Sequence, residues 1–92
     1  MTDKHDQSKI RPSLLPLAEL NQVIEVLEFG ADKYSVDNWQ TVPDGRRRYT
    51  DALLRHSMAY ARGEQVDDES GLHHLAHAAC CALFIMWFDN QR

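Results

Sequence analysis

The chain has 92 residues, 43% of them apolar and 26% charged, with a formal net charge of −4 at pH 7. That is one small globular domain rather than a disordered chain, and no internal repeat emerges. The acidic balance argues against a duplex nucleic-acid binder, which needs a basic face strong enough to release many counterions, but it leaves room for one small anion. A chain this short buries only about 60–65% of its unfolded surface, so self-association is expected.

Residues 1–9 are polar and charged, without the apolar stretch of a signal peptide, and are expected to form a flexible tail ahead of a single domain over 10–92. Pro16 suits the first position of a helix, and Leu17, Leu20, Ile24 and Leu27 then share one face. This helix should reach Glu28 or Phe29. Gly30 is a possible terminator, although FGADKY can carry the helix another turn. Residues 35–45, with Asn38, Pro43, Asp44 and Gly45, form a loop that carries Asn38 and Trp39.

The second helix is expected over 46–62, with Tyr49, Ala52, Leu53, His56 and Tyr60 on one face and a second apolar stripe at Leu54, Met58 and Ala61. Gly63 ends it. The third runs over 71–89, capped by Ser70 or a preceding aspartate, and is apolar nearly all round. Such a helix is a buried one, and in so small a chain its burial calls for partner subunits. Its most apolar stretch, Leu75 to Phe88, includes His77 and is too short to span a bilayer. The neighbouring Cys80 and Cys81 project about 100° apart, which suits buried reduced thiols in a cytoplasmic setting better than a mutual disulfide. No strand pattern is present. The expected fold is therefore an all-α, three-helix protomer in a homo-oligomer.

Four constellations carry chemistry. His73, His74 and His77 fall within one 100° arc near the start of the third helix, an arrangement fit for a metal or a phosphate; the alternative is an exposed His73 with the other two satisfying buried contacts. Glu25 and Glu28, at i and i+3, share a face that could hold a hard cation, with Glu69 and either Asp67 or Asp68 supplying acids from the other side, although surface glutamates at this spacing are common. Arg46, Arg47 and Arg48 lie at a helix N-terminus, where cations oppose the macrodipole unless an anion docks among them. Solvated arginines after an exposed turn are the plain alternative. Lys33, Tyr34, Asn38 and Trp39 combine a cation, two aromatics and an amide, a set suited to a nucleotide, with Trp39 packing and Lys33 and Asn38 facing the ligand. From Lys33 to Arg62 six basic residues stand against three acidic ones, a locally positive middle in an acidic chain.

FGADKY at 29–34, NW at 38–39, LRH at 54–56 and DDESGLHHLAHAACCALF at 67–84 together resemble the dATP/dGTP diphosphohydrolase N-terminal domains of phages and prophages. The resemblance covers about residues 9–88. It implies an all-α fold related to the MazG-type nucleotide pyrophosphohydrolases, a nucleotide ligand, and characteristic positions at Lys33, Tyr34, Asn38, Trp39, Arg55, His56, Glu69, Ser70, His74 and His77. There is one departure. MazG-type enzymes hold Mg²⁺ with two acidic pairs; Glu25 and Glu28 imitate the first, but Leu72 and His73 stand where the second would follow Glu69. Histidines there favour Mn²⁺ or a metal-free phosphate site.

Two functions are compatible with these residues. In the first, the chain binds a nucleotide in an oligomeric pocket and sequesters it, as a sponge for a nucleotide signal of host antiviral defence in the bacterial cytoplasm, without a cofactor. Lys33, Arg55 and one or more of Arg46 to Arg48 then neutralise phosphate, Tyr34 or Trp39 stacks, and Asn38, His56, Ser70, His74 and His77 complete the pocket. In the second, it cleaves dATP or dGTP to a monophosphate and pyrophosphate, with Glu25, Glu28 and Glu69 holding Mg²⁺ or Mn²⁺ and His77 as base or ligand. Neither involves a membrane or duplex nucleic acid.

Overall fold

The structure is a computed structural model describing residue 5 and residues 7–91. Part of the tail expected over 1–9 lies outside the described residues. Three α-helices dominate: α1, Leu17–Lys33; α2, Gly45–Ala61; and α3, His74–Asp89, with short 3₁₀ turns at Pro12–Leu14 and Asn38–Thr41. No strand forms among the described residues beyond a single antiparallel bridge between Val66 and His73. The fold is all-α, and no described helix is long and apolar enough to cross a membrane.

α3 is the centre of the molecule, packing along α2 and more sparingly against α1. Small side chains allow this: Ala76, Cys80 and Cys81 of α3 are buried, and Ala76 and Cys80 pack against Val26 and Val23 of α1, with Leu72 and Phe84 completing the cluster. The Cys80 thiol, 1% exposed, donates to the Val23 carbonyl at 3.3 Å. Burial pushes Cys80 up to about 12 and Cys81 up to about 11, so both remain free, unreactive thiols.

α1 runs four residues beyond Phe29, through Gly30 and the ADK segment to Lys33, and closes with Tyr34 N–H donating to the Gly30 carbonyl at 3.0 Å. Its buried face differs from the expected one. Val23 and Val26 face α3, whereas Leu17, Ile24 and Leu27 remain 65%, 44% and 37% exposed, because the close approach to α3 is made where that helix presents its smallest residues. α2 begins at Gly45 after a left-handed Asp44. A Cβ at Gly45 would lie 2.3 Å from the Phe88 ring, so glycine here permits the start of α2 to meet the end of α3. The two helices are thus antiparallel.

α3 starts three residues later than expected. Residues 65–73 fold back on themselves: Gly71 takes a left-handed φ of 71°, Asp67 N–H donates to the Leu72 carbonyl at 2.8 Å, and His74 N–H to the Gln65 carbonyl at 2.9 Å. His73 caps the helix, its ring nitrogen accepting from Leu75 N–H at 3.0 Å. Ser70 does not cap α3; it belongs to the turn before it.

Candidate functional site

Where α2 and α3 meet near the start of α3, the interface becomes polar. His74, 7% exposed, places Nδ1 2.9 Å from Nδ1 of His56. The ring of His77 stacks on His56 with centroids 4.5 Å apart and planes within 9°. Ser70 Oγ lies 2.7 Å from His77 Nε2 and accepts from Leu72 N–H at 3.1 Å, which leaves its hydroxyl proton to donate to His77. Ser70 N–H in turn donates to the Asp67 carboxylate at 2.9 Å, and that carboxylate is 4.0 Å from His77 Nε2. One ligand atom each from His56, Asp67 and His74 falls within 4.8 Å of the others.

The surroundings tune these groups. Burial, reinforced by neighbouring imidazoles, lowers His56 below the ordinary histidine range, and burial lowers His77 despite the opposing pull of Asp67. Burial alone would raise Asp67, but the Ser70 backbone and hydroxyl hydrogen bonds and the nearby imidazoles outweigh it and hold the carboxyl below its usual value. At neutral pH the Asp67 carboxylate therefore lies beside the neutral imidazoles of His56 and His77.

Beside this cluster, α1, α3 and the Asn38–Thr41 turn enclose an open cavity of about 690 Å³, within the range of small-molecule sites. His56, Asp67, Glu69 and His77 line one part; Trp39, Tyr49, Phe84 and Trp87 line another. Trp39 is held there by the aromatic residues of α3. It stacks on Phe84 at 4.2 Å and 14° and meets Trp87 edge-on at 5.0 Å, while Tyr49 meets Phe84 edge-on at 5.0 Å. A second cavity of about 580 Å³ is lined by Arg48, Arg55 and Asp51, and shares Tyr34, Asn38, Tyr49 and Ala52 with the first.

Most expected site residues therefore come together. Lys33, Tyr34, Asn38, Trp39, His56 and His77 line the first cavity, and Arg48 and Arg55 the second. Ser70 and His74 stand behind the wall, hydrogen-bonded to His77 and His56. Lys33 pairs with Glu69 at 2.5 Å, an exposed contact whose hydrogen bond raises the lysine, and lies over the Tyr34 ring at 5.3 Å. Arg46 is elsewhere, paired with Asp89 at 2.6 Å, because the antiparallel packing brings the end of α3 beside the start of α2. His73 leaves the arc expected on the third helix and packs against Tyr60 at 5.6 Å. Glu25 is exposed and away from the cavities; Glu28 and Glu69 line the first, but among the described residues these three glutamates do not converge as metal ligands. Asp67, one of two aspartates that could supply an acid beside Glu69, is the one that reaches the histidines, and its place three before Ser70 is the spacing of a side-chain-capped turn.

The family described as dATP/dGTP diphosphohydrolase, N-terminal, matches residues 1–92. A protein of Salmonella phage PMBT28 named dATP/dGTP diphosphohydrolase is 40% identical over 89 residues, which make up 97% of this chain and 30% of that relative. The chain thus spans less than a third of the relative it matches. No solved structure matches. With the family covering every residue, and FGADKY, NW, LRH and the histidine-rich segment all placed around the two cavities, the chain belongs to the dATP/dGTP diphosphohydrolase N-terminal family.

Proposed function

We propose that this domain binds a purine deoxynucleotide and holds it intact. The observation that carries the reading is the adjacency of the two cavities: one with an aromatic wall and, sharing Tyr34, Asn38, Tyr49 and Ala52 with it, one bearing Arg48 and Arg55. The base lies against the aromatic wall, Asn38 hydrogen-bonds it or the sugar, and Arg48 and Arg55 neutralise phosphates, with Lys33 released from its solvent-exposed partner Glu69 to join them. The name of the phage relative supports dATP and dGTP as the first ligands to test. Retention without cleavage would suit sequestration of a nucleotide signal, so cyclic nucleotides and ADP-ribose derivatives belong in the same panel.

The domain acts as a homo-oligomer in this reading. Leu17, Ile24 and Leu27 on α1, Leu54 and Met58 on α2, and Leu83 and Met86 on α3 leave more apolar surface in water than a lone small domain tolerates well. The buried free thiols suit a reducing, cytoplasmic setting.

A second reading, metal-dependent cleavage to monophosphate and pyrophosphate, is favoured by the convergence of His56, Asp67 and His74 beside the cavity. The binding claim is tested by titrating dATP and dGTP into the full chain and following Trp39 and Trp87 fluorescence. Saturable quenching that weakens about tenfold or more in Arg55→Ala, with helical content unchanged, is expected from the loss of a charge-assisted phosphate contact. Unchanged affinity in Arg55→Ala and Arg48→Ala alike would remove both arginines from the site.

A further inference from the structure

His56, His74 and Asp67 are an unusual group for a chain with so little interior. Two imidazoles and a carboxylate are drawn together from α2, α3 and the turn between them, one of the imidazoles buried, at an interface that is otherwise apolar. Two nitrogens each about 2.1 Å from a shared ion lie about 3.0 Å apart at right-angled positions and about 3.4 Å apart at tetrahedral ones. The Nδ1 atoms of His56 and His74 are 2.9 Å apart. We infer that His56, His74 and Asp67 form a two-histidine, one-carboxylate site for a first-row divalent transition metal.

Neighbouring contacts orient two of the three ligands. Ser70 N–H fixes the Asp67 carboxylate, and the Ser70 hydroxyl fixes His77, whose ring stacks flat against His56 and sets its orientation. Residues that aim ligands in this way are as much a part of a metal site as the ligands. The donor set selects the ion: imidazole nitrogen suits Mn²⁺, Fe²⁺, Co²⁺ and Zn²⁺, whereas Mg²⁺ prefers oxygen throughout. Three protein ligands leave coordination positions open. His56 and Asp67 line the 690 Å³ cavity and His74 does not, so the open side faces the cavity. Two neutral imidazoles, one carboxylate and a divalent ion leave a net positive charge there, which would take a phosphate oxygen; this last step alone rests on the nucleotide reading.

The test uses metal and protein only. The full chain, stripped with chelator, is titrated with Zn²⁺, Mn²⁺ and Mg²⁺ by calorimetry and with Co²⁺ by visible absorption. The expected result is one transition-metal ion per chain, a raised unfolding temperature, no comparable Mg²⁺ affinity, and binding weakened about tenfold or more by both His56→Gln and Asp67→Asn. Circular dichroism of the metal-free variants reports whether they fold; Asp67→Asn, at the partly exposed edge of the cluster, keeps the test open if His56→Gln does not. His73→Ala, outside the cluster, retains binding. Absence of stoichiometric binding, binding equal in wild type and folded Asp67→Asn, or loss confined to His73→Ala would overturn the site. Metal binding without nucleotide binding would leave this site standing and remove the proposed ligand.

Discussion

The two ends of the α2–α3 interface are built on opposite principles. Near the start of α2, Gly45, Tyr49, Trp39, Phe84 and Phe88 make an aromatic contact, in which Gly45 gives way to a phenyl ring. Near the start of α3, His56, His74, His77, Ser70 and Asp67 make a polar one, built on hydrogen bonds and stacked imidazoles. The first holds the helices together by area and shape, at any pH. The second contributes less to stability, since each hydrogen bond only replaces one made to water, yet it costs more to leave half-made. An interface divided in this way can fix the aromatic wall of the cavity at one end while presenting polar, titratable groups at the other.

The largest effect should come from the aromatic end. Phe84→Ala removes the ring that stacks on Trp39 and meets Tyr49, and should cost about 3 kcal/mol of unfolding free energy, measured by urea denaturation, with the same loss at pH 5 and pH 8. Gly45→Ala should cost about 1–3 kcal/mol by driving a methyl group into Phe88, and Phe88→Leu in the same chain should recover part of it. If Gly45→Ala is neutral, the helix ends are not in the contact described.

No larger than that of Gly45→Ala and different in kind, the cost of His74→Ala should be about 1–3 kcal/mol, by stranding His56 at a half-buried position. The polar end also sets a pH dependence in the metal-free protein. His56 and His77 titrate below their ordinary 6.5 in the folded state, so the unfolded chain takes up protons first as pH falls. Their full contribution is present above pH 6.5 and is lost as pH falls through the lowered folded values; Asp67, also lowered, loses its contribution at still more acid pH. Wild-type stability should therefore decline below about pH 6.5, and His56→Gln should flatten that decline. A slope unchanged in His56→Gln would assign the pH dependence elsewhere. Smallest of all, Glu25→Gln on the exposed face of α1 should leave stability within about 0.5 kcal/mol and nucleotide binding unaltered.

The contrast also explains what could be read from the chain. Helix identity was legible throughout because apolar spacing and the Pro-Asp-Gly turn are local signals, and α2 lies within one residue of its expected bounds. The buried face of α1 was not, because Leu17, Ile24 and Leu27 have the right spacing and only the small residues of α3 decide that Val23 and Val26 are covered instead. At the site, His56, His74, His77, Lys33, Asn38 and Arg55 were identifiable from residue type and family resemblance, and the cavities gather them. Arg46 and His73 were misplaced for tertiary reasons: the antiparallel packing brings Asp89 to Arg46, and the left-handed Gly71 delays α3 until His73 becomes its cap. Asp67 is a candidate acid by residue type, but only the fold of that same turn, which brings it toward His77, separates it from Asp68.

The central claim is that the two adjacent cavities hold a nucleotide intact. Its most direct measurement is to incubate the purified full chain with dATP or dGTP, with and without Mn²⁺, remove free ligand, heat-denature the protein and analyse what is released. The account predicts unaltered nucleotide, in fixed proportion to protein and absent from Arg48→Ala/Arg55→Ala. Release of monophosphate with pyrophosphate, dependent on metal, would contradict retention in favour of cleavage, and recovery of no nucleotide from any member of the wider panel would contradict binding itself.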